Sequence, residues 1–287
     1  MLNILFYERE HEQPTTRDAL DDALAGLPGI TWEASPAAVY RPGRWRDPAT
    51  GARAHWDVGT PPLEEDDQPV RTYSGWRAVP LAFNVPLVGP HWQAVTALAQ
   101  IDRLLQAAPH LVPLDCEDTV LDGEAEPGPF PWDRPRVIAS WEKQVADRQV
   151  GLTVPKLSRA ASVALWRYRA LRGDGRIQHP GYHWPEGLAL LDKQAEAPAV
   201  RSACLWSDPT EPFALPPVEL VVVRRSAGTS AVSGVIPADE LRLLAGPAAL
   251  AGTRLIEPSA AVVAFYQGAK TQPIERFQGL GDEDWGD

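Results

Sequence analysis

The stretch Pro113 to Thr119, PLDCEDT, puts three carboxylates and a thiol in four consecutive positions directly after an apolar run. Carboxylate oxygens bind Mg²⁺ and do the acid–base work of hydrolases. Asp115, Glu117 and Asp118 are therefore the first candidate catalytic residues, and the chemistry they suggest is that of a metal-dependent hydrolase or nuclease. Strand geometry limits the suggestion. Asp115 and Glu117 point to one face and Cys116 and Asp118 to the other, so at most two of the carboxylates converge without help. Asp57 and the acidic run Glu64 to Asp67 are donors of the right type, but no spacing selects them. The competing reading is a strand end whose Asp and Thr bond to nearby backbone amides.

His179 and His183, in HPGYHWPEG, have the i,i+4 spacing of two zinc ligands. Pro180 and Gly181 between them forbid the helix that would put both imidazoles on one face, and the glutamate of an HExxH site is missing. An aromatic loop packed by Tyr182 and Trp184 is the expectation, with no metal and no cofactor. The chain has no GxSxG elbow, no GxGxxG opening a helix and no GxxxxGK[ST] loop, which argues against an α/β-hydrolase, a Rossmann dehydrogenase and a P-loop ATPase.

Basic residues gather from Lys156 to Arg176. At helical spacing Arg169, Arg172 and Arg176 fall on a shared or adjoining face, with Arg167 and Trp166 beside them. Arg and Trp are the residue types enriched at binding hot spots. The helix 155–172 with this set, together with exposed Trp-bearing loops, is the candidate surface for a protein partner, its alternative being a solvated face whose arginine stems cover apolar neighbours.

The whole chain sets the limits of these readings. Its 287 residues are 44% apolar, enough for one large domain or two ordinary ones. Twenty-seven basic residues against 38 acidic give a net charge of -11, which opposes nucleic-acid binding. Cys116 and Cys204 stand 88 residues apart in no metal-ligand spacing, as expected of two thiols in a reducing cytoplasm. MLNILFYERE lacks the basic and long apolar regions of a signal peptide, and no window is apolar enough to span a membrane. Eleven Trp and 29 Pro point to short elements joined by ordered loops. Abundant Ala, Arg, Pro and Gly with one Met suggest a GC-rich bacterial gene.

Periodicity defines the elements that position the candidates. Leu2 to Tyr7 reads as a strand, and Thr15 or Thr16 caps a helix carrying Leu20, Leu24 and Leu27. The segment 41–75 reads as a turn-rich insertion with room for a hairpin. WRAVPLAFNVPLV, 76–88, reads as a strand whose two prolines favour an edge or a strand that begins and ends near them. Trp92 to Ala108 is an amphipathic helix, and His110 to Asp115 the next strand.

That order predicts an α+β protein whose residues 1–120 form a ferredoxin-like, split βαβ sandwich. A Pro-, Gly- and acid-rich linker is expected over 121–138 and a mixed helical and antiparallel-strand part over 139–287. In that second part, helices are expected over 139–150 and 155–172, the latter stopped by Gly173-Asp174-Gly175. A hairpin is expected around 226–230, and strands over 253–257 and 262–266. The acidic tail GLGDEDWGD is expected to be mobile. The functional expectation is a cytoplasmic, non-catalytic protein-binding accessory or adaptor of a bacterial multiprotein system, such as an immunity or conflict system. The metal-dependent hydrolase centred on Asp115, Glu117 and Asp118 is the alternative.

Overall fold

Alternation at period two starts almost at once: Leu2, Ile4 and Phe6 are fully buried and Asn3 and Leu5 half-buried, which makes Leu2–Arg9 strand β1. The computed structural model describes residues 1–59, 72–116, 129, 131–148, 154–196, 199–227, 230–246, 248–282 and 284–287. Among the described residues the chain is a mixed α+β protein with six helices and more than one sheet. It divides into two units, Met1–Leu87 with Gln93–Leu152, and Val88–Trp92 with Thr153–Asp287. None of the described helices is long and apolar enough to cross a membrane.

In the first unit β1 is followed by helix α1 (Arg17–Ala25), whose Thr16 cap accepts from the Ala19 N–H at 3.2 Å. Strands β2 (Ile30–Trp32), β3 (Tyr40–Arg46), β4 (Arg53–Gly59) and β5 (Trp76–Val85) come next, then helix α2 (Trp92–Ala107), strand β6 (Val112–Asp115) and helix α3 (Arg134–Arg148). The sheet runs β2-β3-β4-β5-β1-β6 with every neighbouring pair antiparallel. Phe6, Trp56 and Phe83 meet on its buried face, with ring centroids 6.0 and 4.3 Å apart. Arg41, buried on that face of β3, reaches Asp21 of α1.

The hairpin for which the segment 41–75 has room is formed, and the edge position favoured for 76–88 is not taken. The turn-rich segment opens with the β3–β4 hairpin, in register from Tyr40 opposite Gly59 to Arg46 opposite Arg53, while residues 60–71 lie outside the described ones. Strand β5 is central and not an edge. Its register with β1 shifts between Leu5 and Phe6, so Pro80 falls in a bulge where its missing N–H costs no ladder bond. Residues 121–128 and 130 of the expected linker at 121–138 lie outside the described ones. Helix α3 groups with the first unit, where Trp141 donates to the Pro86 carbonyl at 2.8 Å and Arg134 pairs with Asp102 at 2.6 Å.

The second unit opens with helix α4 (Arg159–Gln178), then β7 (Gly187–Asp192), β8 (Ala199–Trp206), β9 (Phe213–Leu215), β10 (Leu220–Ala227), β11 (Ser230–Pro237) and α5 (Ala238–Arg242). Strand β12 (Arg254–Ile256), helix α6 (Ala260–Gly268) and strands β13 (Gln272–Pro273) and β14 (Phe277–Leu280) complete it. The main sheet runs β13-β11-β10-β8-β7-β14. It is not purely antiparallel, because β8 and β10 run parallel. One face carries a core that includes Cys204, Trp206, Val221, Ile236 and Tyr266, and the other a smaller cluster around Leu190, Val222 and Phe277.

Two expectations for this unit fail, each for a physical reason. Gly173 and Gly175 do not end α4. The Trp184 ring lies where a Gly175 Cβ would stand, 2.4 Å from it, so this glycine permits a close approach. Residues 262–266 are helical, because Ser259 caps the Val262 N–H at 3.2 Å and Val262 and Tyr266 bury together four residues apart. In the tail, Trp285 is fully buried, Gly286 exchanges backbone hydrogen bonds with Pro155 and Leu157, and Asp287 accepts from the His91 N–H at 3.0 Å.

Candidate functional site

The basic helix is the best-defined of the sequence candidates. Leu165 and Tyr168 bury against β7, where a Gly187 Cβ would clash with Leu165, and this contact turns the arginines toward the segment Trp184 to Gly187. Arg169 donates to the Gly187 carbonyl at 2.9 and 3.3 Å, Arg172 to that of Pro185 at 3.4 Å and Arg176 to that of Trp184 at 3.2 Å. Tyr168 adds a hydrogen bond to the Pro185 carbonyl at 2.6 Å, and burial raises its phenol. Positions 169, 172 and 176 climb the helix while 187, 185 and 184 descend the segment, so the two run antiparallel.

The Trp184 and Pro185 carbonyls stand just ahead of β7, where no strand ladder supplies donors, and the Gly187 carbonyl is at its first residue. The fork of a guanidinium supplies such donors. Arg169 also pairs with Asp282 at 2.8 Å and lies over the Trp92 ring at 5.6 Å. Arg167 is exposed and Trp166 half-buried. The outward side of the helix presents Arg167, Ala170, Leu171, Asp174 and Ile177 at helical spacing, with Ile177 79% and Leu171 37% exposed.

The carboxylate candidates stand differently. Asp115, at the end of β6, is buried on the sheet face of Ile4 and accepts from Ser140 Oγ of α3 at 2.6 Å. Glu117 and Asp118 lie outside the described residues, as do Glu64 to Asp67. Asp57 takes hydrogen bonds from Tyr40 and Asn84, both at 2.6 Å; burial and the bond to Asp57 push the Tyr40 phenol up to about 12. His179 stacks on Trp184 and meets the edge of Tyr182, while the His183 ring lies on Phe213. Tyr182 in turn donates to Glu257, and that bond, with a little burial, pushes its phenol up to about 12. No group of three or more His, Cys, Asp or Glu side chains with the geometry to hold a metal ion occurs among the described residues.

One cluster escaped the sequence reading. Glu8, buried at the end of β1, accepts from the Thr15 N–H at 2.9 Å, from the Thr15 hydroxyl and from Arg77 Nε at 2.7 Å. Burial alone would raise its carboxyl; the hydrogen bonds and the Arg77 charge outweigh it and hold the acid below its ordinary value. Thr15 Oγ1 also lies 2.8 Å from Nε2 of the exposed His110. The four residues come from β1, the approach to α1, β5 and the loop before β6.

Comparison with family models, with curated proteins and with solved structures gave no match.

Proposed function

We propose that the chain is a protein-binding accessory or adaptor component of a bacterial multiprotein system, and that α4 meets the partner with its outward side. The observation that carries this reading is the pair Leu171 and Ile177, held in water on one side of the helix beside the exposed cation Arg167. The inward side supports it. Arg169, Arg172 and Arg176 tie the helix to the 184–187 segment, so the outward side is presented rigidly and little ordering entropy is lost on docking. Of the partner-binding residues suggested by the sequence, Arg167 and Trp166 keep that role and the three bonded arginines become its scaffold. A net charge of -11 favours a protein over a nucleic acid as partner.

The framework proposed for the first unit is a ferredoxin-like split βαβ extended by a hairpin. The order β4-β5-β1-β6, with α1 after β1 and α2 before β6, supports it. Such a framework hosts many activities and selects none.

The test is quantitative affinity capture from the source cell with tagged wild type, the double variant Leu171→Glu with Ile177→Glu, and an untagged control. Circular dichroism would establish that the variant is folded. A partner enriched by wild type and lost at least about tenfold from the folded variant is expected, since a desolvated apolar anchor contributes about 2 kcal/mol or more. An unchanged set of captured proteins would refute α4 as the interface, and no enrichment over the untagged control would refute the binding role.

A further inference from the structure

The Glu8, Thr15 and His110 chain of hydrogen bonds has a direction that proton counting fixes. Ionised Glu8 has no proton to give, and its Oε2 takes both the backbone N–H and the hydroxyl proton of Thr15. Arg77 on Oε1 keeps the carboxylate ionised. A threonine hydroxyl has one proton, so once it is given to Glu8, Thr15 Oγ1 can only accept from His110. The proton of the neutral imidazole therefore sits on Nε2, and the exposed ring carries its lone pair on Nδ1. An imidazole held in one tautomer by a hydroxyl that a buried carboxylate orients has its other nitrogen free to take a proton in a reaction.

We propose that His110 is a general base for the hydrolysis of a carboxylic ester small or extended enough to reach an exposed ring, with Thr15 and Glu8 as its positioning residues. Nδ1 takes a proton from water as the water oxygen bonds to the ester carbonyl carbon. The carbon–oxygen bond to the alcohol breaks when the tetrahedral oxyanion collapses, and the imidazolium returns its proton to the departing alkoxide. One ester and one water give one acid and one alcohol, and no oxidant or other reactant is needed. This activity is independent of binding at α4.

The probe is 4-nitrophenyl acetate with the full chain, read as the rate above the buffer reaction. His110→Ala should lower that rate about 100-fold, the low end of what a positioned general base contributes. Thr15→Val should lower it as well, and Thr15→Ser, which keeps the hydroxyl, should restore it. Two-bond nitrogen–proton NMR of the imidazole reads the positioning directly: the Nε2–H tautomer alone in wild type and Thr15→Ser, a mixture in Thr15→Val. A wild-type rate no higher than that of His110→Ala overturns the proposal. So does a Thr15→Ser variant that is folded but inactive, or a folded Thr15→Val variant with wild-type rate and tautomer.

Discussion

Replacing Arg169 by methionine separates an arginine that binds a partner from one that holds the fold. Methionine keeps much of the aliphatic stem and removes only the guanidinium. The change strips two hydrogen bonds from the Gly187 carbonyl and the ion pair from Asp282. Hydrogen bonds from a charged donor contribute about 1.5–3 kcal/mol, and breaking a buried pair by removing one partner costs about 3–5 kcal/mol. The Arg169 side chain is 13% exposed but that of Asp282 22%, so water can partly replace the lost partner on the acid. A net loss of about 2–3 kcal/mol is expected, which lowers the melting temperature of a unit this size by roughly 4–12 °C. Arg167→Met, on the exposed side of the same helix, should stay within about 0.5 kcal/mol of wild type. The assay is thermal melting by circular dichroism, with hydrogen exchange on peptides spanning 184–192 to locate the loss. If Arg169→Met melts within about 1 °C of wild type with unchanged exchange there, the three arginines do not hold the carbonyls and the reasoning fails.

The two glycines of α4 should respond oppositely to alanine. Gly173→Ala meets nothing within 4 Å and should stabilise by about 0.5–1 kcal/mol, whereas Gly175→Ala drives a methyl into the Trp184 ring and should destabilise by about 1–3 kcal/mol; urea midpoints of equal sign would contradict this. Trp285→Ala should cost about 3–5 kcal/mol and free the residues around it to exchange, because the ring is fully buried; a near-neutral midpoint would mean the tail is not docked. Glu8 has its folded pKa depressed below the ordinary 4.5, so its contribution is present above that value and disappears as pH falls through the lower folded value. Glu8→Gln should therefore lower the urea midpoint at pH 7, with a gap to wild type that narrows on acidification below pH 4.5; a pH-independent gap would refute the assignment.

What was legible in the sequence is what short-range periodicity encodes. The stripe of α2 and the β10–β11 hairpin are local patterns, one of period 3.6 and one of two apolar runs around a short polar loop. Where two periods fit the same letters, the reading failed. AAVVAFYQG is apolar enough for a buried strand, and only Ser259 ahead of it, with Val262 and Tyr266 four apart, marks the helix. The arginine face of α4 was visible as a face, but its direction was not, because the carbonyls that draw it inward lie up to 18 positions downstream. Nothing local announces the Thr15 and His110 contact, which closes over 95 residues.

The composition has a structural reading that the individual sites share. Only four of the 27 basic residues are lysines, and the chain carries 29 prolines. Each proline removes an N–H, and those outside the strands stand in segments whose carbonyls have no ladder to meet. Arginine, with five donors in a fork, can satisfy such carbonyls at a distance and in pairs; a lysine, as a point donor, cannot fork. The pattern recurs beyond α4. Arg225 spans the Tyr266 and Ala269 carbonyls at the end of α6, at 2.5 and 2.8 Å, and Arg242 reaches the Val218 carbonyl just after Pro216-Pro217. An arginine-rich face in a proline-rich chain is thus ambiguous from sequence alone, since the same residue type serves a partner's carboxylates and the chain's own orphaned carbonyls. Which of the two it serves is decided by whether carbonyls outside a ladder lie within reach, as 184 and 185 do for Arg176 and Arg172.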